Sequence, residues 1–152
     1  MLTFTREDSM VSAYRISTDN NEFDFDAIHD FLTNCYWSKG IPKATLQTAI
    51  DNSLCFAVLS EQNETVGFAR MITDKATFAY LADVYILEAH RRKGLSKYLL
   101  QHIVQHPQLQ GLRRTVLATR DAHSLYEQFA FKPLANPQTF MEIWQPKVYD
   151  KE

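Results

Sequence analysis

The sequence predicts an α/β fold of the α+β mixed-sheet kind, a central sheet flanked by helices, and three observations carry that expectation. Two apolar runs rich in β-forming residues, Leu54 to Ser60 and Thr65 to Ile72, are separated by the turn Glu61-Gln62-Asn63-Glu64 and read as an antiparallel hairpin. The ten residues from Phe78 to Leu87 are apolar on both alternating faces, as a strand covered on both sides must be. That run is followed by a basic turn containing Gly94, an amphipathic helix and a further strand, which together make a parallel strand-helix-strand unit.

The elements follow in order. Residues 1 to 12 read as a loosely held terminus, and Tyr14 to Ser17 as a short first strand. Asp24 to Cys35 reads as a helix with Phe25, Ile28, Phe31 and Leu32 on one face. Tyr36 to Ile41 is then a loop, Pro42 suits a first helical turn, and Leu46, Ala49 and Ile50 carry a second helix to about Asn52. After the hairpin and the Phe78 to Leu87 strand, a helix from Leu95 to Gln105 turns Leu95, Leu99, Leu100, Ile103 and Val104 inward. Thr115 to Thr119 is the next strand, Asp121 an N-cap, Ala122 to Phe129 a short helix, and Phe140 to Gln145 the closing strand.

No repeat, low-complexity tract or Pro/Gly/Ser linker divides the 152 residues, which are read as one domain spanning 1–152. A net charge of -2 argues against a nucleic-acid-binding module, whose phosphate contacts demand a basic face. No stretch approaches the ~18 apolar residues of a membrane span, and the first eight residues carry charges where a secretory signal is apolar. Cys35 and Cys55 are far apart, lack metal-ligand spacing and sit in apolar contexts, so both read as buried thiols of a reducing compartment. The expectation is a soluble cytoplasmic protein with no metal, no membrane and no nucleic-acid partner.

Against that near-neutral background Arg91-Arg92-Lys93-Gly94-Leu95-Ser96-Lys97 stands out. Unpaired backbone N–H groups at a helix start, the helix dipole and cationic side chains together build an anion site, so a phosphorylated ligand is the natural occupant. Asp83 is the sole charge within the Phe78 to Leu87 run. An unpaired carboxylate is costly to bury, so Asp83 either faces a cavity as a base or amine anchor, or is bonded to backbone or to Arg70.

The pattern Arg91-x-x-Gly94-x-Ser96 between strand and helix resembles the acyl-CoA pyrophosphate loop of the GNAT superfamily of N-acetyltransferases, with Ser96 in place of the usual Gly or Ala. The segment Thr119-Arg120-Asp121-Ala122-His123-Ser124-Leu125-Tyr126-Glu127-Gln128-Phe129-Ala130-Phe131 is similar to that family's Asn-x-x-Ala-x-x-Leu-Tyr-x-x-x-Gly-Phe, with Thr119 for Asn and Ala130 for Gly. The resemblance runs from about Tyr14 to Trp144 and implies a GNAT-like fold using acetyl-CoA as co-substrate. It further implies that backbone groups of Val84, Tyr85 and Ile86 bond the pantetheine arm and that Arg91, Arg92, Lys93, Gly94, Leu95, Ser96 and Lys97 hold the pyrophosphate. Tyr126 matches the tyrosine commonly given the role of protonating the departing thiolate. A phenol at hydrogen-bond distance suits that step. His123 could shuttle a proton, although an exposed helix-start histidine is the plainer reading. Tyr36 and Trp37, in the loop that commonly covers the acceptor, and Phe140 are candidates for an aromatic amine pocket or else ordinary core. The implied activity is direct transfer of acetyl to a primary amine of a small molecule or peptide in a ternary complex, with Asp83 assisting. The competing reading is an idle acyl-CoA-binding regulatory module, and a homodimer stays open.

Overall fold

A computed structural model describes residues 11–150. Five strands, β1 (Arg15–Ser17), β2 (Leu54–Leu59), β3 (Thr65–Thr73), β4 (Phe78–Ile86) and β5 (Arg114–Leu117), lie in that order across one sheet. The first three junctions are antiparallel and the last, β4 with β5, is parallel. Among the described residues the sheet is flanked by the helices α1 (Phe25–Thr33), α2 (Lys43–Asp51), α3 (Leu95–Gln105) and α4 (His123–Glu127).

Local chemistry sets the helix starts. The Asp24 carboxylate accepts the Ala27 N–H at 3.1 Å, so α1 begins one residue later than its cap. Pro42, extended at φ -69°, stands before α2 as its N-cap rather than inside the first turn. α3 has the bounds its apolar spacing predicts. Leu95, Leu99, Leu100 and Ile103 are buried against Phe56, Val58, Ala69, Met71 and Leu81 on one face of the sheet, while Val104, expected inward, is exposed. On the other face, α1 and α2 bury Ile28, Leu32, Leu46 and Ile50 against Cys55, Phe68 and Tyr85. Gly67 sits where the sheet is tightest. A Cβ there would lie 2.7 Å from Ile86 Cδ1 and 3.1 Å from the Tyr85 carbonyl oxygen.

Several expectations are corrected. Phe140 to Gln145 forms no strand: a 3-10 turn at Pro137–Thr139 redirects the chain, and Phe140 lies under Arg114, whose guanidinium carbon is 5.1 Å from the ring centre. Strand-forming composition makes a segment competent to pair, but it does not supply the neighbour. β5 ends at Leu117, so Thr119 lies beyond it. α4 is capped by Ala122 and not Asp121, the Ala122 N–H donating to Thr119 Oγ1 at 3.1 Å. β4 is covered on both faces only in part, because Phe78 and Tyr80 point to a side that no helix covers and are exposed. Cys55 is buried, and desolvation pushes its thiol up to about 12, whereas Cys35 is only half-buried. Of the terminus expected to be loose, residues 1–10 lie outside the described residues, and Val11 packs on the core.

Candidate active site

β4 and β5 pair from Phe78 with Arg114 to Leu81 with Leu117, and there the pairing stops. β4 continues to Ile86 bonded to β3 alone. Past Leu81 one edge of β4 is therefore open toward α4. Leu87 N–H donates to Val66 carbonyl oxygen at 2.8 Å, so strand alternation commits the backbone of Tyr85 to β3 and turns that of Val84 and Ile86 toward the gap. Of the three residues predicted to offer backbone groups, two face the opening. The Ile86 carbonyl already accepts Arg91 Nε at 2.9 Å. The Tyr85 ring is buried and stacked on Phe31 at 3.8 Å, and desolvation raises its phenol's pKa.

At the same place the β3–β4 ladder is irregular, its register shifting between Phe68 and Arg70 opposite Ala82 to Tyr85. Asp83 occupies the bulge at φ 57°, a left-handed conformation that costs a non-glycine residue energy and re-aims its side chain. Its carboxylate is buried and doubly held. Oδ2 accepts Arg70 Nε at 2.9 Å, and Oδ1 accepts Trp37 Nε1 at 2.9 Å. Arg70 also donates to Ser53 Oγ at 3.2 Å. Of the two readings of Asp83, the ion pair with Arg70 is present, and Trp37 is anchored with it.

These groups line one cavity of about 590 Å³, whose walls include Tyr36, Trp37, Arg70, Asp83, Val84, Thr119, Arg120, Tyr126 and Tyr149. Tyr36 meets Trp37 edge-on at 5.1 Å and lies beneath the Arg120 guanidinium, 3.9 Å from its ring centre. Tyr126 reaches the cavity from α4. Its ring is 9% exposed, its pKa is raised by desolvation, and its hydroxyl makes no hydrogen bond among the described residues. Phe140 is not brought to this cavity, and His123 is exposed outside it, bordering with Tyr126 a neighbouring groove. Arg120 and Tyr149 were missed. Arg120 was quoted as a motif position without a role, and nothing in the sequence places Tyr149, nine residues past Phe140, beside Gly40.

The basic turn lies at the other end of the opening. Gly94 is left-handed at φ 80° and caps α3 with no side-chain hydrogen bond, while Arg92 is left-handed at φ 64°. Tyr98 N–H is the donor to Gly94 carbonyl oxygen, the first bond of the helix, so the N–H groups of Leu95 and Ser96 precede the intrahelical ladder. They border a cleft shared by Ile86, Arg91, Arg92, Gly94 and Leu125. Arg91 and Lys93 are partly diverted, Arg91 to Ile86 and Lys93 to the Tyr14 hydroxyl at 3.1 Å.

Residues 21–131 match the model of the acetyltransferase (GNAT) family. The chain belongs to that family. A crystal structure of a candidate GNAT-family acetyltransferase from Xanthomonas campestris pv. campestris is similar at 47% identity and a TM-score of 0.88, covering 91% of this chain and 97% of that one. A candidate acetyltransferase of Gibberella zeae is 36% identical over 74% of this chain and 75% of its own length. Glucosamine-6-phosphate N-acetyltransferase from Arabidopsis thaliana shares the fold at a TM-score of 0.61 and 10% identity, covering 87% of this chain and 97% of that one. The mixed sheet is that of the GNAT fold, and its open β4 edge lies within the residues matched to the family.

Proposed function

We infer that this GNAT protein transfers acetyl from acetyl-CoA to a primary amine of a small molecule or peptide, by direct attack in a ternary complex. The observation that carries this is the parting of β4 and β5 beyond Leu81 and Leu117, which leaves an open β4 edge with Val84 at the cavity holding Tyr126 and Ile86 at the cleft of the Gly94 turn. A long thioester with a phosphorylated end fits that path: the positive start of α3 suits its phosphates, and the backbone of Val84 on the open edge suits an amide-bearing arm.

Acetyl-CoA supplies an activated acyl thioester. The amine nitrogen forms a bond to the acyl carbon as the carbon–sulfur bond breaks, the sulfur takes a proton from Tyr126 Oη, and the proton shed by the amine passes to water. Burial raises the Tyr126 pKa, keeping the phenol protonated and able to donate at neutral pH. Because both Asp83 oxygens are engaged, its part is to hold Trp37 and Arg70 rather than to abstract a proton. Trp37 and Tyr36 form the aromatic wall against which a cationic amine is received before it deprotonates. Neither Cys35 nor Cys55 lines the cavity, in keeping with a route that needs no covalent enzyme intermediate.

The experiment is a panel of amines, amino acids and peptides incubated with acetyl-CoA and followed by release of free thiol. Turnover on any member is the expected result. CoA binding without turnover on any member would favour the idle regulatory module.

A further inference from the structure

Four charged residues line the cavity that holds Tyr126: Arg70, Asp83, Arg120 and Asp121. Two of them cancel, since Arg70 and Asp83 form an ion pair at 2.9 Å. Arg120 is different. Its guanidinium lies over the Tyr36 ring, 3.9 Å from the ring centre, and makes no hydrogen bond or ion pair among the described residues, exposed Asp121 included. A ring contact uses none of the guanidinium N–H donors, so the fork is steadied while its donors stay available. Around it the cavity presents apolar side chains to solvent. Ile72 and Tyr80 are paired across β3 and β4, and both are exposed, as are Tyr36 and Trp37. One unpartnered cation among exposed aromatic and aliphatic side chains suits a ligand that joins an acid to an apolar body.

We propose that the acceptor amine also carries a carboxylate, as an amino acid with an aromatic or branched aliphatic side chain does, and that Arg120 receives the carboxylate while Ile72 and Tyr80 receive the side chain. The proposal rests on the acetyl transfer inferred above and narrows its acceptor. With Asp83 committed to Arg70, an acceptor bearing only an ammonium group would meet the Arg120 charge with Asp121 alone to offset it. A carboxylate supplies the countercharge, and the planar fork takes both of its oxygens. Trp37 is then left to face the ammonium. In an α-amino acid one carbon separates amine from carboxylate, so fixing the acid at Arg120 confines the nitrogen to the cavity that Tyr126 lines.

The test compares phenylalanine, phenylalaninamide and O-phosphoethanolamine as acceptors for the full chain and for Arg120→Gln and Arg120→Glu, each first shown to melt cooperatively. The amide keeps the amine and the ring and lacks the acid. The two amines differ in basicity, so the change in their kcat/KM ratio between proteins is what reads Arg120. That ratio, acid over amide, should fall about tenfold in Arg120→Gln and further in Arg120→Glu, with KM for acetyl-CoA unmoved. Equal losses on acid and amide would make Arg120 a clasp on Tyr36 and overturn the proposal. So would turnover confined to the amide, or a preference for O-phosphoethanolamine over phenylalanine. A second readout needs no turnover: calorimetric titration of N-acetylphenylalanine and N-acetylphenylalaninamide in the presence of CoA. The acid should bind about tenfold more tightly than the amide, and Arg120→Gln should lose that preference. Such a preference with acetyl transfer absent from every sample would count against the activity and leave the carboxylate site standing. No preference in the titration overturns the site whether or not acetyl is transferred.

Discussion

On the β2 side of the sheet every residue from Leu54 to Leu59 is buried, whereas on the β5 side no residue from Arg114 to Leu117 is. The closed half is held from above by α3 and from below by α1 and α2, with Gly67 at its tightest point. The open half carries the parted strands, the bulge at Asp83, the left-handed turn at Gly94 and the cavity. Asn63 and Lys75 are left-handed in ordinary hairpin turns, whereas Asp83 and Arg92 hold left-handed backbone where chemistry is proposed, and the packed half supplies the stability that lets them persist. The comparison predicts that substitutions in the open half change binding and rate without unfolding the chain, and that those in the closed half do the reverse.

The largest effect is expected at Gly94. A glutamate there must adopt φ near 80° and sets a negative charge at the start of α3, where a phosphate would otherwise be received. Gly94→Glu should abolish CoA binding in calorimetric titration while the melting transition stays cooperative. Unchanged affinity in the folded variant would remove the turn from the site. Next is Tyr126→Phe, which keeps the ring against Phe131 and removes only the hydroxyl. Turnover should fall by about 10²-fold, roughly 2.7 kcal/mol, with little change in KM for acetyl-CoA. The pH profile gives a second readout. The acid must be protonated and burial raises its pKa, so wild-type activity should persist past the ordinary phenol range and decline only above it, a limb absent from the variant's residual rate. Near-wild-type turnover with chemistry rate-limiting would leave water as the proton donor.

Gly67→Ala probes the closed half. The added carbon would meet Ile86, Val58 and the Tyr85 backbone at 2.7 to 3.1 Å, and backbone cannot step aside as a flexible side chain can. Overpacking of this kind costs about 1–3 kcal/mol. The melting temperature should drop accordingly, while kcat measured well below it stays near wild type. A large loss of kcat in the folded variant would show that the two halves are coupled through β3.

How far the sequence carried the fold differs between the same halves. α3 was legible to the residue because its apolar spacing and its packing against the sheet agree. Asp83 was legible as an anomaly, a charge within an apolar run, but the bulge that aims it depends on a register shift between strands far apart in sequence. The pairing of Asp83 with Arg70 was one of two readings, and its bond to Trp37 links residues 46 positions apart, which no local pattern encodes. Phe140 to Gln145 shows the limit most clearly. Its strand-forming composition is a property of the segment, and whether it joins a sheet is decided by what lies beside it.

The smallest effect is expected at Ala130. Phe131 N–H donates to Tyr126 carbonyl oxygen at 3.3 Å and Ala130 N–H to Glu127 carbonyl oxygen at 3.2 Å, the paired bonds of a Schellman motif. Phe131 and Tyr126 make the apolar contact that accompanies it, with ring centres 5.9 Å apart. The left-handed position of that motif is Ala130, at φ 71°, where Cβ crowds the following carbonyl. Glycine avoids the clash, and Ala130 is exposed, so little packing is lost. Replacing alanine also frees the unfolded chain, which offsets part of the gain. A net stabilisation of about 1 kcal/mol should raise the melting temperature of a chain this size by about 2–4 °C. The motif also fixes the C-terminal end of the helix that presents Tyr126, so turnover should change little if the helix already holds its place. A lowered melting temperature in Ala130→Gly would show that chain entropy outweighs the strain, and that the left-handed turn below Tyr126 is held by the Phe131 contact rather than opposed by its own Cβ.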